Sequence, residues 1–288
     1  MIVRDRPSVW QLFYVLRGSL LPRIWPQIAG VGILSLVIVA AHKLAPHLVP
    51  SMSAAPFALL GIAISVFLSF RNSASHDRWW EARKLWGQII QTARDIARQT
   101  AHLDAEARCP ARRAILQSVI GFAADTARQL RTPATAIPNS ADAQLTEAAL
   151  VVARLSRDDR LTLVETHALT ESLTRLSHAL VGCERLANTP LPFAYTLLLH
   201  RTAYLFCFMM PFGFADNLGW VTPLATMLVA YTFFGLDALG DELEEPFGLD
   251  QNDLPIAAYA TIVEITLRAA LGETDLPPLP QPVDYVLR

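Results

Sequence analysis

The stretch Phe57-Ala58-Leu59-Leu60-Gly61-Ile62-Ala63-Ile64-Ser65-Val66-Phe67-Leu68-Ser69-Phe70 passes directly into Arg71-Asn72-Ser73-Ala74-Ser75-His76-Asp77-Arg78-Trp79-Trp80-Glu81-Ala82-Arg83-Lys84-Leu85-Trp86-Gly87. From Leu44 to Phe70, twenty-seven residues carry no Lys, Arg, Asp or Glu. As a helix rising about 1.5 Å per residue, such a run is long enough for the ~30 Å hydrocarbon core of a bilayer. The basic, tryptophan-rich continuation is what a helix needs where it leaves lipid for the cytoplasm. The chain reads as a membrane protein.

Composition agrees. Apolar residues make up 52% and charged residues 17% of the 288 residues, against about a quarter charged in soluble domains. A net charge of −2 gives no bulk basicity for nucleic acid. Cys109, Cys183 and Cys207 are far apart, without the CxxC spacing of a metal or redox motif, and fit reduced or lipid-buried thiols. The first residues, with Arg4, Asp5, Arg6 and Pro7, lack the pattern of a cleaved signal peptide.

Four apolar segments are delimited by their nearest charges. The first lies between Arg23 and Lys43, the second between Lys43 and Arg71, the third from Leu191 to Ala215 and the fourth from Asn217 to Leu236. His200-Arg201 interrupts the third, which suggests a broken helix shielded by protein. Arg4, Arg6, Arg17 and Arg23 precede the first segment, and Arg71, Arg78, Arg83 and Lys84 follow the second. Lys43, with His42 and His47, occupies the first connection, and Asp216 the other. The positive-inside tendency therefore puts both termini in the cytoplasm.

The expected organisation is a cytosolic N-terminal segment (1–23), a first transmembrane hairpin (24–70), a helical cytosolic domain (71–190), a second hairpin (191–236), a cytosolic acidic segment and helix (237–275) and a proline-rich tail (276–288). Within the cytosolic domain, Ile115, Val119 and Phe122 repeat at helical spacing, as do Leu169, Leu173, Leu176 and Leu180. Cys109-Pro110 and the stretch from Thr132-Pro133 to Ser140 are expected breaks. The tail is too rich in proline for a helix and is expected to run along a surface or to be disordered. The fold class is thus all-α, with four transmembrane helices in two hairpins.

The enzyme templates fail. The sequence holds no dinucleotide fingerprint, phosphate loop, HExxH or GxSxG, and its seven histidines form no ligand pair on a helix. The acidic run Asp237, Asp241, Glu242, Glu244, Glu245, Asp250 and Asp253 lacks EF-hand spacing, so a solvated helix end competes with an oxygen-ligand cation site. In the second apolar segment, Ile62, Val66 and Phe70 share one helix face beside the small residues Gly61, Ser65 and Ser69. Small residues let membrane helices approach closely. Several copies around an axis would turn the apolar residues into rings that obstruct hydrated ions. Ordinary packing or lipid contact is the competing reading.

Three blocks resemble the bacterial bestrophins: Arg71 to Gly87, Gly182 to Thr196 with His200-Arg201-Thr202, and Glu242-Leu243-Glu244-Glu245-Pro246-Phe247-Gly248 through Asn252-Asp253-Leu254-Pro255. Arg17-Gly18-Ser19 is a weaker echo. The resemblance implies a homopentameric ion channel with one pore on the five-fold axis and no enzymatic activity. It implies a neck formed by Ile62, Val66 and Phe70, and a cytosolic aperture at Val164. Its animal members hold calcium in an acidic clasp after the Pro-Phe-Gly turn. Here Leu249, Gln251 and Asn252 stand where that clasp would need carboxylates, leaving Asp250 and Asp253, so calcium is not expected to be required. Bacterial relatives imply passage of monovalent cations, and the carboxylates from Asp237 to Glu245 point the same way. Arg71, Arg78, Arg83 and Lys84 are the counterweight, and a chloride channel of the same architecture is the alternative. A membrane-anchored scaffold or sensor is another. The expected partners are four further copies of the chain, membrane lipids and permeant ions.

Overall fold

A computed structural model describes residues 1–4, 10, 14–15, 18–45, 52–105, 110–132 and 140–287. The expectations resting on Arg6, Arg17, His47, Cys109 and positions 133–139 lie outside the described residues. The described helices are α1 (Leu21–Leu44), α2 (Ala55–Gln99), α3 (Pro110–Arg131), α4 (Ser140–Arg157), α5 (Leu163–Asn188), α6 (Phe193–Leu218), α7 (Thr222–Glu244) and α8 (Ile256–Ala270), with short 3₁₀ turns at Ala101–Ala105 and Gly219–Val221. Isolated bridges, Ile2 with Val286 and Val283 with Val286, are the only β pairing among the described residues. The chain divides into two units. One comprises Asp5–Arg78 and Pro190–Glu244, and the other Met1–Arg4, Trp79–Thr189 and Glu245–Arg288.

The first unit holds the apolar segments. Leu21–Leu44, Ala55–Leu103 and Phe193–Glu244 contain stretches long and apolar enough to cross a membrane, the last being α6 and α7 joined by the Gly219–Val221 turn. Its core takes Ile24, Ile28 and Val31 from α1, Ile64 and Leu68 from α2, Phe206 and Met210 from α6, and Phe233 and Phe234 from α7. Phe206 and Phe233 meet edge to face with centroids 5.1 Å apart, the arrangement that the ring quadrupole favours. The buried Ser35 and Thr226 hydroxyls, 2.7 Å apart, join α1 to α7, a type of contact worth roughly 0.6 kcal/mol inside membranes.

One element differs from expectation and one continues as the sequence suggests. The helix that leaves the apolar segment at Phe70 continues unbroken, α2 running on to Gln99, because Arg71 to Arg78 contains neither glycine nor proline and the charge at Arg71 finds partners within the fold. The third apolar segment, expected to be a broken helix, is not broken at His200-Arg201. There α6 is continuous, since the His200 ring is held by carboxylates of α7 and Arg201 is exposed.

The second unit is a packed helical layer. Trp86, Ile89 and Ile96 of α2, Ile115, Val119 and Phe122 of α3, Leu145 and Val152 of α4, Leu169, Leu173, Leu176 and Leu180 of α5, and Ile256, Val263 and Leu267 of α8 form one apolar cluster. These are the positions that helical spacing selects. Burial, aided by the nearby Glu184 and Glu81 carboxylates, pushes the Cys183 thiol up to about 12, so it stays protonated and unreactive at neutral pH. The C-terminal end does not trail away. Val3 donates to the Tyr285 carbonyl at 2.8 Å and Leu287 to that of Met1 at 2.9 Å, which gives a chain without helix an outlet for its backbone polar groups.

Phe122 is fully buried at the centre of this layer. Phe122→Ala is expected to destabilise the protein by about 3–5 kcal/mol through lost burial and the cavity left behind, read as a lower unfolding midpoint of the detergent-purified chain.

Candidate functional site

The side chain of Arg71 is 0% exposed, although it directly follows an apolar helix segment. Its Nη1 donates to Asp237 Oδ1 at 2.8 Å and to the Asp237 carbonyl at 3.3 Å, and its Nη2 donates to the Asp241 carboxylate and to Glu244 Oε2 at 3.4 Å. Asp237, Asp241 and Glu244 stand at i, i+4 and i+7 of α7 and so share one face. His200 of α6 lies 2.5 Å from Asp237 and 3.4 Å from Asp241. Arg23 of α1 closes the set at 3.2 Å from Asp241 and 3.8 Å from Glu242. Gly240 makes room for it, because a Cβ there would lie 2.5 Å from Asn72 Oδ1 and 3.4 Å from Arg71 Nη1. Thus α1, α2, α6 and α7 meet at one charge network.

The network fixes the rotation of α2. Ile64, Leu68, Arg71 and Ser75 are all buried and follow each other at helical spacing. Ile62, Val66 and Phe70 fall on the opposite side and are 65%, 48% and 64% exposed. The three expected neck residues are therefore brought onto one free apolar face. Of the small residues beside them, Gly61 lies against the same chain, where a Cβ would meet Phe206 Cζ at 3.1 Å. Ser65 turns its hydroxyl back to the Gly61 carbonyl at 2.7 Å, and Ser69 is exposed.

Val164, the expected aperture residue, sits in the first turn of α5 and is 78% exposed next to the exposed Leu163. A capping box holds that turn. The Thr162 hydroxyl accepts from Glu165 N at 3.3 Å, and Thr162 N donates to Glu165 Oε2 at 2.8 Å. These hydrogen bonds keep the Glu165 carboxyl below its ordinary range. Two large aliphatic side chains are thereby presented on a fixed helix tip. The sequence pair Thr162-x-x-Glu165 carries this signal.

Asp250 and Asp253 are not arranged as a pair of metal ligands. Asp250 is exposed, while the buried Asp253 accepts the Asp250 backbone N–H at 2.7 Å and so closes the turn. Among the described residues no group of three or more His, Cys, Asp and Glu side chains is placed to hold a metal ion. In the acidic run up to Glu244, Asp237, Asp241 and Glu244 are engaged by Arg71 and do not form a free carboxylate surface. The spacing at 237, 241 and 244 is the signal that an arginine on a neighbouring helix answers it.

Comparison with known proteins matches this geometry to one family. The family described as Bacterial/Fungal Bestrophin protein matches residues 1–269. The chain is 41% identical to a voltage-dependent anion channel-forming protein of Mesorhizobium japonicum, covering 97% of this chain and 95% of that one. It is 38% identical to the corresponding protein of Salmonella typhi, with 96% of each covered. The crystal structure of a bacterial bestrophin homologue from Klebsiella pneumoniae, 34% identical, aligns with a TM-score of 0.81 over 88% of this chain and 100% of that one.

Removing one member of a buried ion pair strands the other. Arg71→Met is expected to cost about 3–5 kcal/mol, seen as a lower melting temperature in detergent. Adding Asp237→Asn is expected to cost much less than its effect alone would suggest, and a double-mutant cycle of melting temperatures measures that coupling.

Proposed function

The chain belongs to the bacterial/fungal bestrophin family, an ion-channel family, and we propose that it assembles as a homopentamer whose α2 helices line a single central pore. The observation carrying this is the free apolar face of Ile62, Val66 and Phe70, opposite the face that Arg71 anchors. In a monomer such a face would meet only lipid. Five copies around an axis convert it into three stacked hydrophobic rings that obstruct hydrated ions by offering no polar replacement for their water. Val164 and Leu163, held out on the capped tip of α5, supply a second constriction.

The protein spans the bacterial inner membrane with both termini in the cytoplasm. Lys43 lies 5.5 Å from the exposed Trp220 ring, and His42 lies 3.4 Å from Asp216. The end of α1 and the α6–α7 turn thus share one interface, marked by an aromatic anchor and a sparse set of charges. The arginine-bearing ends lie on the other side.

The permeant class is monovalent ions, with small anions favoured. The curated relatives bear the name of anion channel-forming proteins. The cation preference expected from the sequence rested on the carboxylates from Asp237 to Glu245, and that support falls away because Asp237, Asp241 and Glu244 are bound to Arg71. Calcium is not an obligatory activator, since Asp253 is engaged in its own turn.

Purified protein in planar bilayers is expected to give unitary currents, and joint truncation of Ile62, Val66 and Phe70 to Ala to raise conductance or open probability severalfold. Unchanged currents in that variant would move the barrier to Val164. A reversal potential following chloride under asymmetric NaCl supports anion passage, and one following sodium restores the cation reading. Chelation of calcium is expected to leave the currents intact.

A further inference from the structure

The exposed stripe on α2 does not end with the neck. Ile62, Val66 and Phe70 continue at helical spacing through Ser73 to Asp77 on the same side of the helix, and both of these are exposed. The Asp77 side chain is 80% exposed, and its nearest described ionic neighbour is His76, 3.9 Å away. The basic residues on either side are turned elsewhere. Arg71 is buried against α7, and Arg78 donates from Nε to the Glu244 carbonyl at 3.1 Å. The carboxylates of Asp237, Asp241 and Glu244 are tied up by Arg71 in turn. The arginine and carboxylate charges nearest the neck are therefore engaged with one another, off the neck's own face. What remains on the neck's own face is one carboxylate per chain, two turns below Phe70.

We propose that Asp77 forms the first charged ring at the cytosolic mouth of the neck and biases permeation there, raising cation passage relative to anion passage without by itself deciding which dominates. This rests on the reading of Ile62, Val66 and Phe70 as pore-lining. An apolar ring has no net charge of its own, so the nearest fixed charge decides which ion it is easier to present to it. Lys84, with the same spacing seven residues further along α2, is about 10 Å beyond Asp77 at 1.5 Å per residue. It therefore stands about 21 Å from Phe70 against about 10 Å for Asp77, and with a Debye length of about 8 Å at physiological salt it is screened from the neck far more strongly than Asp77. Neutralising Asp77 shifts the permeability ratio toward chloride whichever ion dominates in the unaltered channel. Five unit charges acting on one axial ion through screening water give a change of severalfold.

The experiment measures reversal potentials of purified full-length protein, Asp77→Asn and Asp77→Lys in planar bilayers under asymmetric NaCl. The near-isosteric Asp77→Asn carries the test even where Asp77→Lys fails to assemble. The expected result is unitary currents in all conducting forms, with the chloride-to-sodium permeability ratio severalfold higher in Asp77→Asn and higher still in Asp77→Lys. Currents with an unchanged ratio in Asp77→Asn overturn the ring while leaving the neck in place. A wild-type protein that passes no unitary current overturns both, because the ring then has no pore to guard.

Discussion

A guanidinium buried at the end of an apolar helix segment costs several kcal/mol unless it is paired and hydrogen-bonded, and that requirement at Arg71 organises the unit formed by α1, α2, α6 and α7. Asp237, Asp241 and Glu244 meet it from α7, His200 joins from α6, and Arg23 approaches from α1. None of these helices can slide by a turn or rotate by a residue without stranding a charge. Since Arg71 follows Phe70, fixing its direction also fixes the direction of Phe70, and with it the whole free face of Ile62, Val66 and Phe70. The apolar contacts of Ile64 and Leu68 add cohesion. Hydrophobic contact is non-directional, so the charge network supplies the specificity of rotation.

The membrane character, the four apolar segments and the leucine spacing of α5 were legible because they rest on local signals: a run without charge, or a period of 3.6 residues. That Ile62, Val66 and Phe70 share one helix face was legible for the same reason, and three sequence blocks pointed to the family. What did not follow from the sequence was long-range pairing. His200-Arg201 reads locally as an interruption of an apolar helix, and only the placement of Asp237 and Asp241 against the ring explains why α6 continues. Asp237 to Glu245 reads locally as a solvated acidic surface, and only the burial of Arg71 turns it into a structural element. At Phe70–Arg71 the local signals were of a different kind. A change from apolar to charged residues marks a change of environment, and the helix itself runs on.

The same pairing alters how ion selectivity has to be argued. Counting charges around the neck suggests a contest between an acidic patch and a basic cluster. In the folded chain Asp237, Asp241 and Glu244 are engaged by Arg71, with Arg23 and His200 beside them, and do not stand as a free acidic surface. A paired charge in a low-dielectric setting projects little net field beyond its partner. Selectivity then depends on the few charges left unengaged on the exposed face of α2 and on the shape of the apolar rings.

The central claim, that the face of α2 opposite Arg71 lines an ion path, is tested most directly by thiol accessibility in the conducting protein. Val66→Cys and Leu68→Cys place a thiol on the free face and on the buried face of the same helix turn. A charged, membrane-impermeant thiol reagent is predicted to block current through Val66→Cys rapidly and to leave Leu68→Cys unaffected. Current through Val66→Cys that persists after the reagent has demonstrably reacted there would contradict the account.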